Sequence, residues 1–347
     1  MNNKFTPISE IGEFALIDRI LKGHTNKHNS TKKGAGDDAA VIEYLKKKDC
    51  LVSTDMLAEG VHFDPTYTPL KHLGYKSIII NISDICAMNG TATHALVSLG
   101  VPNKYSVEHI EELYAGIHAA CKNYNIDLIG GDTTSSSSGL IISVTIIGEP
   151  SFIEPVYRSG AQNNDVLFVS GDLGGAYLGL QILEREKQIF IDDEKSQPKL
   201  KDYSYILERQ LKPEARVDII RELRKAEIAP SSMIDLSDGL SSELRHICKE
   251  SNVGIKIFET KIPIIKETLE AAGELNIDPL FCALHGGEDY ELLFTAPVGL
   301  HEKISKISSV NAIGHITEHP NKIELITGSE ELIDLTNEGW DSFLKNK

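Results

Sequence analysis

No stretch of the 347 residues approaches the roughly 20 consecutive apolar residues a membrane helix needs, and no basic segment followed by an apolar one opens the chain. The expectation is a soluble, cytoplasmic protein. Basic residues are in deficit, with 35 Lys and Arg against 51 Asp and Glu and a net charge of −16, which argues against nucleic acid or an anionic membrane as partner. The five cysteines, Cys50, Cys86, Cys121, Cys248 and Cys282, are odd in number, widely scattered and include no Cys-x-x-Cys pair. They read as reduced core residues of a cytosolic protein, not as a disulfide framework. Neither a Gly-x-x-x-x-Gly-Lys-Ser/Thr loop nor a Gly-x-Gly-x-x-Gly fingerprint occurs, so any ATP is held by other means. Histidine clusters at zinc spacing are absent, as are a Ser-His-Asp order and a Cys-His pair that would mark a nucleophile.

What the chain does have is carboxylate placed beside apolar segments. Its length suits two domains of roughly 150 to 200 residues, and the 41% apolar content is enough to fill them. We place the boundary near Pro150, giving residues 1–150 and 151–347. Ile8 to Leu21 has helical spacing, with Ser9 as cap and Gly23 as stop. The polar segment Lys22 to Lys33 reads as a loop leading into the turn Gly34-Ala-Gly-Asp-Asp-Ala-Ala. Helices are expected in the segment after Pro69, over Val107 to Asn123, Leu178 to Glu186, Ala215 to Lys225, Leu240 to Ser251 and Lys266 to Leu275. Between them fall strand-like runs at Ala95 to Val101, Leu140 to Ile147, Val166 to Ser170, Ser232 to Asp235 and Gly254 to Phe258. This alternation implies an α/β fold of the α+β type, two domains, each a mixed sheet with helices packed on it.

Leu51-Val-Ser-Thr-Asp-Met-Leu-Ala-Glu-Gly-Val-His-Phe63 reads as a strand that stops at the carboxylate of Asp55, then a loop carrying Glu59 and His62. In Ile78-Ile-Ile-Asn-Ile-Ser-Asp-Ile-Cys-Ala-Met-Asn-Gly90, the polar Asn81, Ser83 and Asp84 interrupt an apolar element, and burying an ionised Asp is costly unless it is paired or bound to a cation. Leu128-Ile-Gly-Gly-Asp-Thr-Thr134 and Met233-Ile-Asp-Leu-Ser-Asp-Gly239 repeat the pattern of apolar run, then carboxylate. Asp38, Asp55, Asp84, Asp132, Asp235 and Asp238 thus form a set suited to Mg²⁺ ions that bridge nucleotide phosphates, because Mg²⁺ takes oxygen ligands and relieves repulsion between anions. Strand-end Asp residues also serve as helix caps and turn formers, and spacing alone leaves both readings open.

As a set, Gly36-Asp-Asp-Ala, Ser53-Thr-Asp with His62-Phe63, Asn81-Ile-Ser-Asp with Ala87-Met88, Gly130-Gly-Asp-Thr-Thr, Arg158-Ser-Gly-Ala, Ile234-Asp-Leu-Ser-Asp-Gly-Leu and Gly286-Gly-Glu-Asp-Tyr-Glu-Leu resemble the thiamine-monophosphate kinase family. Gly12-Glu-Phe-Ala-Leu-Ile is similar too, and the matches run to Trp340 in the family's order. The resemblance implies an N-terminal domain like that of aminoimidazole ribonucleotide synthetase, binding ATP and Mg²⁺ and dimerising through its sheet. The C-terminal domain would complete the nucleotide and substrate site. It implies transfer of a phosphoryl group from ATP to thiamine phosphate, with several Mg²⁺ ions and a homodimer. By motif position it implies metal ligands at Asp38, Ser53, Thr54, Asp55, Asp84, Asp132, Asp235 and Asp238, with Asp55, Asp84 and Asp132 closest to catalysis. Nucleotide contacts fall on Tyr114, Gly131, Asp132, Arg158 and Ser237, and substrate contacts on His62, Glu288 and Trp340. Tyr114 is matched by helix position alone, and the tract Ser135 to Ser138 stands where the family has a shorter turn, often containing Arg. Other readings are another ATP-using enzyme of the same superfamily or a non-catalytic sensor of metal and nucleotide. Among the former, selenophosphate synthetase would want a reactive Cys near the N-terminus and the hydrogenase-maturation dehydratase a C-terminal one.

Overall fold

The computed structural model describes residues 31–33, 37–45, 48–151, 154–193 and 197–335. The expected opening helix, the glycines of the Gly34 turn and Trp340 lie outside the described residues.

The first sheet is built from β1 (Thr31–Lys33), β2 (Ala40–Leu45), β3 (Lys48–Ala58), β4 (Gly90–Val101), β5 (Asp127–Ser135) and β6 (Ile141–Pro150). Their order is β1-β2-β3-β6-β4-β5, parallel between β4 and β5 and antiparallel elsewhere. Alternation fixes the register: Leu51, Ser53 and Leu57 of β3 and Ile142, Val144 and Ile146 of β6 are buried, whereas Thr54 and Met56 face outward. On the buried face lie α1 (Leu70–Ala87) and α2 (Val107–Tyr124). The two helices touch at glycine. A Cβ on Gly74 would stand 2.0 Å from the Leu113 carbonyl oxygen, and one on Gly116 1.9 Å from that of Lys71.

The second sheet takes β7 (Val166–Ser170), β8 (Ser232–Asp235), β9 (Gly254–Phe258), β10 (Leu292–Ala296), β11 (Val310–Thr317), β12 (Ile323–Ile326) and β13 (Leu332–Asp334). Its order is β13-β12-β9-β11-β7-β10-β8, with only β9 and β12 parallel, so both sheets are mixed as expected. Around it stand α3 (Gly175–Asp192), α4 (Ser204–Leu211), α5 (Val217–Lys225), α6 (Leu240–Ser251), α7 (Lys266–Leu275), α8 (Pro279–His285) and the single turn α9 (His301–Ile304). The domains share apolar packing. One continuous cluster contains Ile78, Ile82 and Met88 with Phe168, Ile219, Met233 and Phe294. Helix α1 is buried along nearly its whole length because it packs under the first sheet and against β8 of the second domain.

Several expectations are corrected. β3 does not stop at Asp55 but runs on to Ala58, since the strand's inward side offers Asp55 polar neighbours. β5 likewise runs through Asp132, and β6 continues past Gly148 to Pro150 in pairing with β4. Thr31–Lys33, expected to be loop, pairs with β2. The charged stretch from Lys187 to Tyr205, read from its composition as exposed, is largely so, and it contains the last turns of α3 and the start of α4. Helix α8 was not anticipated either; Asp278 caps it by accepting the Leu280 N–H at 2.9 Å, with Pro279 at its first position.

Candidate functional site

Three polar residues in the C-terminal half of α1, Asn81, Ser83 and Asp84, tie the helix to strands of both domains. The Asn81 side-chain oxygen accepts the Asp55 N–H at 3.0 Å, which ties the helix to the middle of β3. Ser83 donates to Asp235 Oδ2 at 2.6 Å, reaching the end of β8 in the second domain. Asp84 accepts a short hydrogen bond from Ser53 of β3. The result is a cluster drawn from three parts of the chain. Carboxylate oxygens of Asp38, Asp84 and Asp235 lie within 4.8 Å of one another.

Three carboxylates so close repel one another, and burial adds to the cost of ionising them. Burial pushes the pKa of Asp84 upward, reinforced by Asp55, Asp235 and Asp38. Asp235 is pushed up by burial and by Asp38. Asp55 rises to about 6, with burial the main cause and the hydrogen bond to Asp84 opposing it. Against this charge stands Arg158, whose Nε and Nη2 both donate to Asp38 at 2.8 Å in a bidentate pair. Asp37 also faces inward; it accepts the Arg158 and Asp38 N–H groups and is raised to about 6, mainly by burial. Lys33, 3.3 Å from Asp37, adds a second positive charge, and the two cations still do not balance the five carboxylates Asp37, Asp38, Asp55, Asp84 and Asp235. A donor group of hard carboxylate oxygens at this spacing, carrying surplus negative charge, fits a divalent oxygen-seeking cation.

The other sequence-predicted residues fall around this centre or away from it. Thr54 is exposed on β3, donating to the Val144 carbonyl at 2.9 Å. Asp132 is exposed on the edge strand β5, outside the three-carboxylate cluster, and accepts the Thr133 N–H. Gly131 beside it is required by packing, because a Cβ there would stand 1.7 Å from the Val97 carbonyl oxygen. Tyr114 is half-buried on α2 against the first-domain core, its ring 5.9 Å from that of His118. Arg158 is committed to Asp38. Ser237 uses its carbonyl to accept the Glu288 N–H at 2.7 Å, and the Asp238 N–H donates to Glu243 at 3.0 Å. His62 Nδ1 accepts the Ala58 N–H at 3.0 Å, so the neutral ring carries its proton on Nε2.

Residues to which the motifs gave no role also contribute. Asp37, Glu243, Lys76 and Gln210 are bound to the site residues, and Lys76 is the only lysine among the described residues that is buried. The signal was present: Lys76 interrupts an apolar helix as Asp84 does.

Two mixed sheets sharing a core, with a carboxylate cluster assembled from both, define the two-domain class described as AIR synthase related proteins. Its N-terminal domain matches residues 36–149 and its C-terminal domain residues 162–324. Within that class, the chain belongs to the thiamine-monophosphate kinase family. It is 37% identical to the thiamine-monophosphate kinase of Aquifex aeolicus over 90% of this chain and 93% of the relative. It is 34% identical to that of Bacillus subtilis over 95% and 99%. A solved structure described as AaThiL complexed with AMPPCP and TMP superposes with a TM-score of 0.81 at 33% identity, covering 97% of this chain and 99% of the other.

Proposed function

We propose that this chain transfers the γ-phosphoryl group of ATP to thiamine phosphate, giving thiamine diphosphate and ADP. The observation that carries the reading is the cluster of Asp38, Asp84 and Asp235, whose carboxylate oxygens converge within 4.8 Å, as a hard cation requires, and which both domains build. Relatives named for this activity and a similar structure holding an ATP analogue and TMP support it. Mg²⁺ bound here would screen the charge between the two phosphates and polarise the transferred group. Asp38, Asp84 and Asp235 would hold it, with Asp55, Asp132, Asp238 and the oxygens of Ser53 and Thr54 as further candidates.

The protein's own residues supply position. Ser83 and Asn81 fix α1 against both neighbouring strands, Ser53 orients Asp84, and Arg158 locks Asp38. We read Arg158, Ser237, Gly131 and Tyr114 as the nucleotide side of the site, and His62, Glu288 and Trp340 as the acceptor side. The acceptor is a phosphate oxygen already ionised near neutral pH, so no general base is needed. Cys86, the thiol on α1 nearest Asp84 in sequence, is buried, and burial pushes its pKa up, which makes it a poor nucleophile. This favours one direct displacement without a phosphorylated enzyme.

We further infer a homodimer formed on the open face of the first sheet. There Met56 is 58% exposed and Ile129, on the edge strand β5, 54% exposed. The scattered free cysteines, four of them buried, favour a cytoplasmic setting.

Purified protein incubated with ATP, Mg²⁺ and thiamine phosphate should yield thiamine diphosphate, measured by chromatography. ATP bound without turnover, whether or not thiamine phosphate is present, would favour a sensor instead. ATP made chiral at the γ-phosphorus should give inversion, whereas retention requires two displacements. For the dimer, Met56→Glu should shift the mass measured by light scattering toward the monomer.

A further inference from the structure

Lys76 sits on α1, 4% exposed, in a helix where an apolar residue would pack without penalty. Taking an ammonium out of water is costly unless it is paired and hydrogen-bonded. Its Nζ lies 2.8 Å from Glu288 Oε1 and donates to the Gln210 carbonyl at 3.0 Å. Gln210 of α4 in turn donates from Nε2 to Glu288 Oε2 at 2.7 Å. Both oxygens of Glu288 are therefore held, one from each domain. The backbone of Glu288 is held as well, at a φ of 59° with its N–H on the Ser237 carbonyl at 2.7 Å.

The carboxylate cluster gives no reason for a lysine at this position. Lys76 precedes Asp84 by eight residues, roughly 12 Å along a helix, and it is engaged by Glu288 and Gln210. The Glu288 side chain keeps 29% of its surface open.

We propose that Lys76 is a positioning residue for the acceptor: from the first domain it clamps the Glu288 carboxylate of the second into the one orientation that receives the thiazolium cation of thiamine phosphate. The proposal rests on the reading of Glu288 as a substrate contact. A clamp and a simple neutraliser of charge predict opposite results. If Lys76 only offset the charge of Glu288, removing it would strengthen binding of a cation. If it positions Glu288, removing it frees the side chain to rotate and weakens that binding.

The experiment is steady-state kinetics on Lys76→Met, Lys76→Arg, Glu288→Gln and the double variant Lys76→Met with Glu288→Gln, with circular dichroism to confirm folding. Lys76→Met should raise KM for thiamine phosphate by about tenfold, with KM for ATP within about twofold and kcat changed less than the acceptor KM. Lys76→Arg, which keeps the charge and folds if the Met variant does not, should show a smaller rise in the same constant. In the double variant, adding Lys76→Met to Glu288→Gln should cost nothing further, since residues acting as one unit are not additive. An unchanged or lowered acceptor KM in both Lys76 variants, an equal effect on both substrates, or multiplicative effects in the double variant would overturn the proposal. If Glu288→Gln itself leaves KM for thiamine phosphate unchanged, the reading of Glu288 falls and the clamp with it. A rise there beside unchanged Lys76 variants removes the clamp alone.

Discussion

Asp84 is where one atom change tests the most. It accepts from Ser53 and stands within 4.8 Å of Asp38 and Asp235, and an amide of the same size keeps the packing but removes the charge. Asp84→Asn should lower kcat on the order of a thousandfold or more while circular dichroism and melting temperature stay near the parent, since several kcal/mol of charge stabilisation are lost. Near-parental activity at ordinary Mg²⁺ would refute its place in the centre. A second residue sets acid sensitivity. Burial, with Arg158 nearby, holds His246 down to about 4, below the 6.5 of a free imidazole. The folded state thus resists a proton that the unfolded chain accepts, so this contribution is fully present above pH 6.5 and drains away as pH falls toward about 4. Replacing His246 by Gln should flatten the loss of stability between those limits, read from urea midpoints at pH 7 and pH 5. Asp84 was legible in the sequence because a carboxylate inside Ile-Ile-Ile-Asn-Ile-Ser-Asp-Ile has no cheap explanation. Lys76 carried the same signal five residues before Asn81, but its partners Gln210 and Glu288 are more than a hundred positions away, and no local pattern points to them.

Among the elements, the contact of α1 with α2 is the one a single methyl group should break. At Gly116 the neighbour is the backbone of Lys71, which has no rotamer by which to retreat, and the same holds at Gly74 against Leu113. Gly116→Ala should cost about 3 kcal/mol or more and lower the melting temperature by roughly 5 °C or more. Calorimetry showing an unchanged transition would mean that the helices part freely. The long elements were readable from periodicity: α2, α6 and α7 begin and end within a residue or two of expectation. Short helices were not, because eight residues in α4 and seven in α8 offer barely two turns of pattern amid charged or loop-like sequence. The strand ends were misread for another reason. A carboxylate after an apolar run reads as the end of β3, but a strand continues through a charged residue when its inward neighbours are polar, as Asn81 and Asp84 are for Asp55.

In the molecule as a whole, the cluster joining Ile78 and Ile82 to Phe168, Met233 and Phe294 makes the first domain's core continuous with the second, which adds a cluster of its own from Leu167, Ile234, Leu244, Ile255 and Leu293. Heating should therefore give one cooperative transition, with calorimetric and van't Hoff enthalpies in agreement. Two resolved transitions would refute the coupling. No alternation of strands and helices foretells such sharing, since it arises from which faces meet after each sheet has formed. It also constrains how the two domains can move about the carboxylate cluster. Swinging the domains apart would strip water-shy surface from both sides of α1, so the passage for reactants must be worked by loops at the rim, not by the halves turning on a hinge. Fluorescent labels placed one on each domain should hold a constant separation whether the protein is empty, loaded with nucleotide or turning over.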